Sequence, residues 1–178
     1  MKRLRKWGLP KATVLFNIAL ISLIGLVPFG RSYAAPALPQ KPYLPLKMAL
    51  QAADAALTQC QKDGYHVSVA VVNHDGVLQV LLRDDAAGPH TVSSSSKKAY
   101  TAASLGRSTQ ALAKTVAGNP EVAGIRDMDD QILVLAGGLP ISMTNTIIGG
   151  IGVGGAPSGI FDEKCAQAGL DSLLKSSQ

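Results

Sequence analysis

Aromatic residues make up 4% of this 178-residue sequence, and there are two cysteines. With Ala, Val and Gly abundant, that scarcity favours a closely packed interior of small side chains over a large aromatic cage. No nucleophile elbow G-x-S-x-G, Walker loop or H-E-x-x-H zinc helix occurs, and the cysteines lie too far apart for a local metal motif. Acidic residues are missing from one region altogether. The first 34 residues hold none of the 12 acids but six of the 17 bases: Lys2, Arg3, Arg5, Lys6, Lys11 and Arg31.

That asymmetry marks residues 1–34 as a secretory signal. A basic start precedes an apolar run from Val14 to Val27 and the small-residue site Ser32-Tyr33-Ala34, with cleavage expected after Ala34. As an uncleaved anchor the run would be short and interrupted by Asn17 and Ser22, so no stable membrane insertion is expected after cleavage. The start lacks consecutive arginines, which argues against the twin-arginine route and for a periplasmic or secreted chain that acquires any cofactor after export. Without the signal, 11 bases face 12 acids. A near-neutral surface lacks the basic stripe of a nucleic-acid binder, so no nucleic-acid partner is expected.

In an oxidising compartment Cys60 and Cys165 can pair, closing a loop worth roughly 4–5 kcal/mol, or remain two small buried hydrophobes. Prolines 36, 39, 42 and 45 make residues 35–45 an extended linker, leaving 46–178 as a single domain. Apolar residues at Leu46, Ala49, Leu50, Ala53, Leu57 and Cys60 predict a helix stopped by Gly64. Tyr65 to Val72 alternates as a strand, and Asn73-His74-Asp75-Gly76 turns the chain into a second strand over Val77 to Arg83. Both strand faces are largely apolar, which predicts helices on both sides of the sheet. Thr91 to Leu105 reads as a small-faced helix, and Arg107-Ser108-Thr109 starts another, which ends at Gly118-Asn119-Pro120. Three strands are expected at Ile132 to Leu135, Leu139 to Thr144 and Ile147 to Gly154. A last helix follows, capped by Ser158 or Asp162.

Glycines crowd the last two of those strands, in Gly137-Gly138-Leu139-Pro140-Ile141 and Gly149-Gly150-Ile151-Gly152-Val153-Gly154-Gly155. Gly150, Gly152 and Gly155 match the letters of a dinucleotide fingerprint. That motif, however, must open the crossover helix of a βαβ unit, with an acid about 20 residues on. The element order here contains no repeated βαβ unit, so an antiparallel sheet is expected, with the glycines serving close packing, pocket walls or a subunit contact.

The chemistry-bearing candidates are few. His66, His74 and His90 are the only imidazoles, the usual protein ligand of haem iron. His74 sits in a turn that favours solvent, and His66 opens a strand as a half-buried spacer. His90 follows Gly88-Pro89 in a loop where a polar group can face a pocket. Arg83 with Asp84 or Asp85 can clamp a substrate carboxylate or brace the strand end. Lys97 and Lys98 can meet anionic groups or be solvated, and Asp127, Asp129 and Asp130 lack the ligand spacing of a calcium loop.

Val71-Val72-Asn73-His74-Asp75-Gly76, R-D-D at Arg83 to Asp85, K-A-Y-T-A at Lys98 to Ala102, G-G-L-P-I at 137–141 and I-G-V-G-G at 151–155 occur in order. Together they resemble the GlcG/HbpS family of haem-binding proteins, related to the carboxy-terminal domain of PduO-type cobalamin enzymes, over residues 46–175. Asn73 stands where many relatives carry an acid. The resemblance implies an α/β (α+β), profilin-like or roadblock-like fold: a five-stranded, mainly antiparallel sheet with helices on both faces, in a homo-oligomer. It implies a binding protein for haem, with cobalamin or another tetrapyrrole as the alternative ligand. His90 would be the candidate iron ligand, with Lys97, Lys98, Tyr100 and Thr101 around the pocket. Haem degradation or peroxide-linked redox chemistry, and a ligand-free scaffold, are the alternatives.

Overall fold

The period-2 alternation predicted from Tyr65 onward is realised in β1 (Ser68–Asn73), which lies between β2 (Leu78–Arg83) and β4 (Thr146–Gly154). In the computed structural model, which describes Ala37 and residues 40–175, β3 (Gly138–Met143) completes one sheet of order β2-β1-β4-β3. Every pairing is antiparallel. The expected signal over residues 1–34 lies outside the described residues. Among those described, no helix is long and apolar enough to cross a membrane.

The two hairpin turns use different chemistry. After β1, Asn73 Oδ1 accepts from the backbone N–H of Asp75 and of Val77, and Gly76 takes φ 77°. Between β3 and β4 a two-residue turn places Thr144 and Asn145 at φ 46° and 63°, the left-handed pair that fits a tight hairpin.

Helix α1 (Leu46–Lys62) and helix α4 (Gly159–Lys175) cover one sheet face, and α2 (His90–Leu105) covers the other. On the first face Val69, Val71, Ile151 and Val153 meet Ala49, Ala52, Ala53, Ala56 and Ala166, all fully buried. Each valine or isoleucine removed from water there contributes roughly 1.5–3 kcal/mol. Cys60 and Cys165 are joined in a disulfide that ties α1 to α4, with Cα atoms 5.5 Å apart. The core begins before α1, for Leu44 is also buried and its carbonyl accepts from Gln79 Nε2 at 3.2 Å.

On the second face the sheet offers few large side chains, Ala70 and Val72 packing on Ala99 and Ala103 of α2. Ala70 pairs with Gly152 and Val72 with Gly150, and Gly152 pairs in turn with Gly138. A Cβ added at Gly152 would stand 2.1 Å from the Ser95 carbonyl oxygen, and one at Gly150 would stand 2.3 Å from that of Ala99. The glycine-rich strand lets the backbone of α2 lie directly against the sheet, which is close packing, one of the three roles expected for these glycines.

The sheet has four strands, not the expected five. The segment Ile132 to Leu135 spends its backbone groups elsewhere. Ile132 N–H donates to the Asp129 carbonyl, Leu133 N–H to Thr101 Oγ1, and Leu135 N–H to the Leu133 carbonyl two residues back. Local turns and a helix side chain therefore take the donors that a fifth ladder would need. Helix α3 (Thr109–Gly118) starts and ends where predicted, with Ser108 as its N-cap, and a 3-10 helix (Pro120–Asp127) forms within the acidic stretch.

Candidate functional site

Helix α2 carries all five predicted site residues and divides them between its two faces. His90, Ser93, Lys97, Tyr100 and Ser104 recur at helical spacing on the outer side, exposed or half-buried. Lys98 and Thr101 point inward and are buried at 1% and 0%. The outer stripe therefore brings His90, Lys97 and Tyr100 onto one surface. His90 and Tyr100 still stand about 15 Å apart along the axis, ten residues at roughly 1.5 Å each. Tyr100 lies over the first hairpin, where a Cβ on Gly76 would meet its ring at 2.6 Å.

The inward residues serve the frame. Lys98 Nζ donates to Asp162 Oδ2 at 2.7 Å and to the Val153 carbonyl at 2.8 Å. Asp162 Oδ1 accepts from Ala156 N–H at 3.0 Å. Burial pushes the Asp162 carboxyl above its ordinary range, against the opposing pull of Lys98 and of the Ala156 hydrogen bond. Gly137 makes room for the pair: a Cβ there would stand 2.7 Å from Asp162 Cβ and 2.9 Å from Lys98 Nζ. Thr101 Oγ1 donates to the Lys97 carbonyl and accepts from Leu133 N–H, each at 2.8 Å.

At the N-terminal end of α2 two imidazoles flank one buried contact, Ser68 Oγ to Thr91 Oγ1 at 2.7 Å. His90 precedes Thr91 and is exposed, its ring folded over Gly88 and without a side-chain hydrogen bond among the described residues. His66, two residues before Ser68, has Nδ1 2.8 Å from Asp84 Oδ1. The ring is 61% exposed whereas the carboxylate is 11% exposed. Asp84 Oδ1 also accepts from Ala86 N–H at 3.0 Å, and Oδ2 from Gln61 Nε2 at 2.8 Å. The Gln61 hydrogen bond above all, then those of Ala86 and His66, holds the Asp84 carboxyl below the usual range. Among the described residues the side-chain polar partner of His74 is the exposed Asp75, at 3.4 Å.

Sequence reasoning paired Arg83 with a neighbouring acid. The Arg83 guanidinium instead donates to the Ala87 carbonyl, and Asp84 is engaged by His66. The His66–Asp84 and Lys98–Asp162 pairs span 18 and 64 residues, so no local motif announced them. Among the described residues no three His, Cys, Asp or Glu side chains converge as a metal cluster. This end of the sheet therefore carries two exposed imidazoles, of which His66 is held by Asp84.

A family model described as "Haem degrading protein HbpS-like" matches residues 44–171. The crystal structure of a double mutant of Streptomyces reticuli HbpS is 43% identical, with a TM-score of 0.71, over 78% of this chain and 96% of that one. A PduOC:heme complex is 25% identical, with a TM-score of 0.68, over 74% and 95%. An uncharacterized 15.0 kDa protein of the dhaT-dhaS intergenic region of Citrobacter freundii is 30% identical over 111 residues, 62% of this chain and 78% of its own. With the match running from the buried Leu44 into α4, this chain belongs to the HbpS-like family.

Proposed function

We propose that this protein binds haem or a closely related tetrapyrrole after export from the cytoplasm. The match to the haem-degrading HbpS-like family across residues 44–171 carries the reading, together with the likeness to a domain crystallised with haem. The residues present fit such a group in kind. Two exposed imidazoles stand at one end of the sheet, and Lys97, seven residues beyond His90 on the same helical stripe, supplies a cation for a propionate. Lys98 and Thr101 support this surface from beneath, Lys98 through Asp162 and Thr101 through Leu133. Bound haem would supply the redox-active iron, while the chain would supply the imidazole, the cation and the Tyr100 ring. The Cys60–Cys165 disulfide fits an oxidising, periplasmic or extracellular location.

Titration of the purified protein with haemin should give a saturable Soret shift with a defined stoichiometry. A linear, unsaturable rise like that of haemin in buffer removes the proposal. Titration with a cobalamin under the same conditions distinguishes the alternative tetrapyrrole.

A second reading, turnover of the bound haem, is favoured by the family description. Reductant and oxygen should then bleach the Soret band of the complex faster than that of free haemin, and equal rates remove it. Association of copies is a further part of the proposal, supported by the exposed Val77 and Leu78 on and beside the edge strand β2. A purely monomeric mass by light scattering would exclude it.

A further inference from the structure

We propose that His66, rather than His90, is the imidazole this chain offers to a haem-type iron, with Asp84 as its orienting carboxylate. The inference rests on the haem reading and goes beyond it by choosing the ligand.

The choice follows from what holds each ring. An ionised carboxylate only accepts, so in the neutral ring the contact of His66 Nδ1 with Asp84 Oδ1 places the proton on Nδ1 and leaves the lone pair on Nε2. Histidines that ligate metals almost always have this second partner, which fixes the ring and raises its basicity. Asp84 is itself fixed, since Gln61 and Ala86 donate to it and its own N–H donates to the Val67 carbonyl at 3.0 Å. The base of the His66 ring is equally firm, for Val67 and Ser68, the next two residues, are fully buried. His90 and His74 have no comparable support. His90 has no side-chain hydrogen bond among the described residues, and the partner of His74 is a 70%-exposed carboxylate at 3.4 Å.

The donor set also selects the class of metal. With no cluster of three donors among the described residues, a bare divalent ion would find too few protein ligands here for tight binding. A haem iron, already held by its macrocycle, would be bound by a single protein ligand, most commonly an imidazole. His66 presents one.

The test compares the purified wild-type protein with the His66→Ala, His90→Ala and Asp84→Asn variants. All are titrated with haemin and examined by absorption, electron paramagnetic resonance and, for the ferrous complexes, resonance Raman, after circular dichroism has shown that each folds. His66→Ala should lose the imidazole-ligated spectrum and at least about tenfold in affinity, and added free imidazole should restore the spectrum. His90→Ala should keep the imidazole-ligated spectrum. Asp84→Asn should keep a histidine-ligated spectrum with a lowered iron–histidine stretching frequency, because the weaker acceptor leaves a less basic ring. Wild-type binding with an unchanged spectrum and affinity in His66→Ala overturns the assignment and leaves the haem reading standing. No saturable binding by the wild type overturns both.

Discussion

Lys98 Nζ and Asp162 Oδ2 stand 2.7 Å apart with their side chains 2% and 4% exposed, an ion pair sealed between α2 and the first turn of α4. Removing one partner leaves the other charge in a dry site, whereas removing both lets apolar groups fill the space. Lys98→Met alone should cost about 3–5 kcal/mol in urea denaturation, and the double variant with Asp162→Leu should recover a large part of that loss. A single variant as stable as wild type would show that the pair is not sealed.

The glycine stripe predicts a contrast between two chemically identical substitutions. Gly152→Ala drives a methyl into the Ser95 carbonyl oxygen at 2.1 Å and the Ala99 nitrogen at 2.5 Å, while Gly118→Ala in α3 meets nothing within 4 Å. The first should lower stability by about 1–3 kcal/mol or more through forced backbone displacement. The second should leave it unchanged or raise it by about 0.4–1 kcal/mol. Thermal melts of the two variants beside wild type check both.

The disulfide joins residues 105 positions apart. Cys60→Ala with Cys165→Ala should lower stability by about 2–5 kcal/mol, chiefly by freeing the unfolded chain. Denaturant midpoints of wild type with and without reductant, set beside the double variant, test this. Reduced wild type and the double variant should coincide.

Acid should weaken the fold through its surface carboxylates. The hydrogen bond from Lys164, with that from Gln59, holds the Asp63 carboxyl below its ordinary value, and Asp84 is lowered as well. A lowered carboxyl contributes its stability above the unfolded value near 3.8 and loses it as the pH falls through the folded value. Asp162 has the opposite sign: its raised folded value favours the fold at low pH and loses that contribution as the pH rises through it. Melting temperatures from pH 6 to pH 2 should therefore fall less steeply in Asp63→Asn than in wild type.

Much of this architecture was legible in local pattern. Apolar spacing gave α1 to within a residue, Gly64 and Gly76 marked a helix stop and a turn, and Arg107-Ser108-Thr109 marked the start of α3. The fifth strand misled because Ile132 to Leu135 has strand composition, and composition does not reveal that Thr101 will take the Leu133 donor. The site was half legible. Helical spacing puts His90, Lys97 and Tyr100 on one stripe, but which side of α2 faces the sheet depends on glycines some 50 residues away. Lys98 looked like a surface cation for the same reason. Its partner Asp162 lies 64 residues on, beyond any local signal.

The sparse face beneath α2 has a mechanical consequence. Helices usually keep their place because ridges of side chains lodge in grooves, and a surface of Ala70, Val72, Gly150 and Gly152 provides little more than one ridge to stop a slide. The position of α2 is instead fixed at three polar pins: Thr91 to Ser68 and Lys98 to the Val153 carbonyl, both on the sheet, and Thr101 to Leu133 beside it. Hydrogen bonds here do the indexing that steric interlock does elsewhere. A variant that keeps every apolar contact but loses two pins should leave the helix intact and out of step with the sheet.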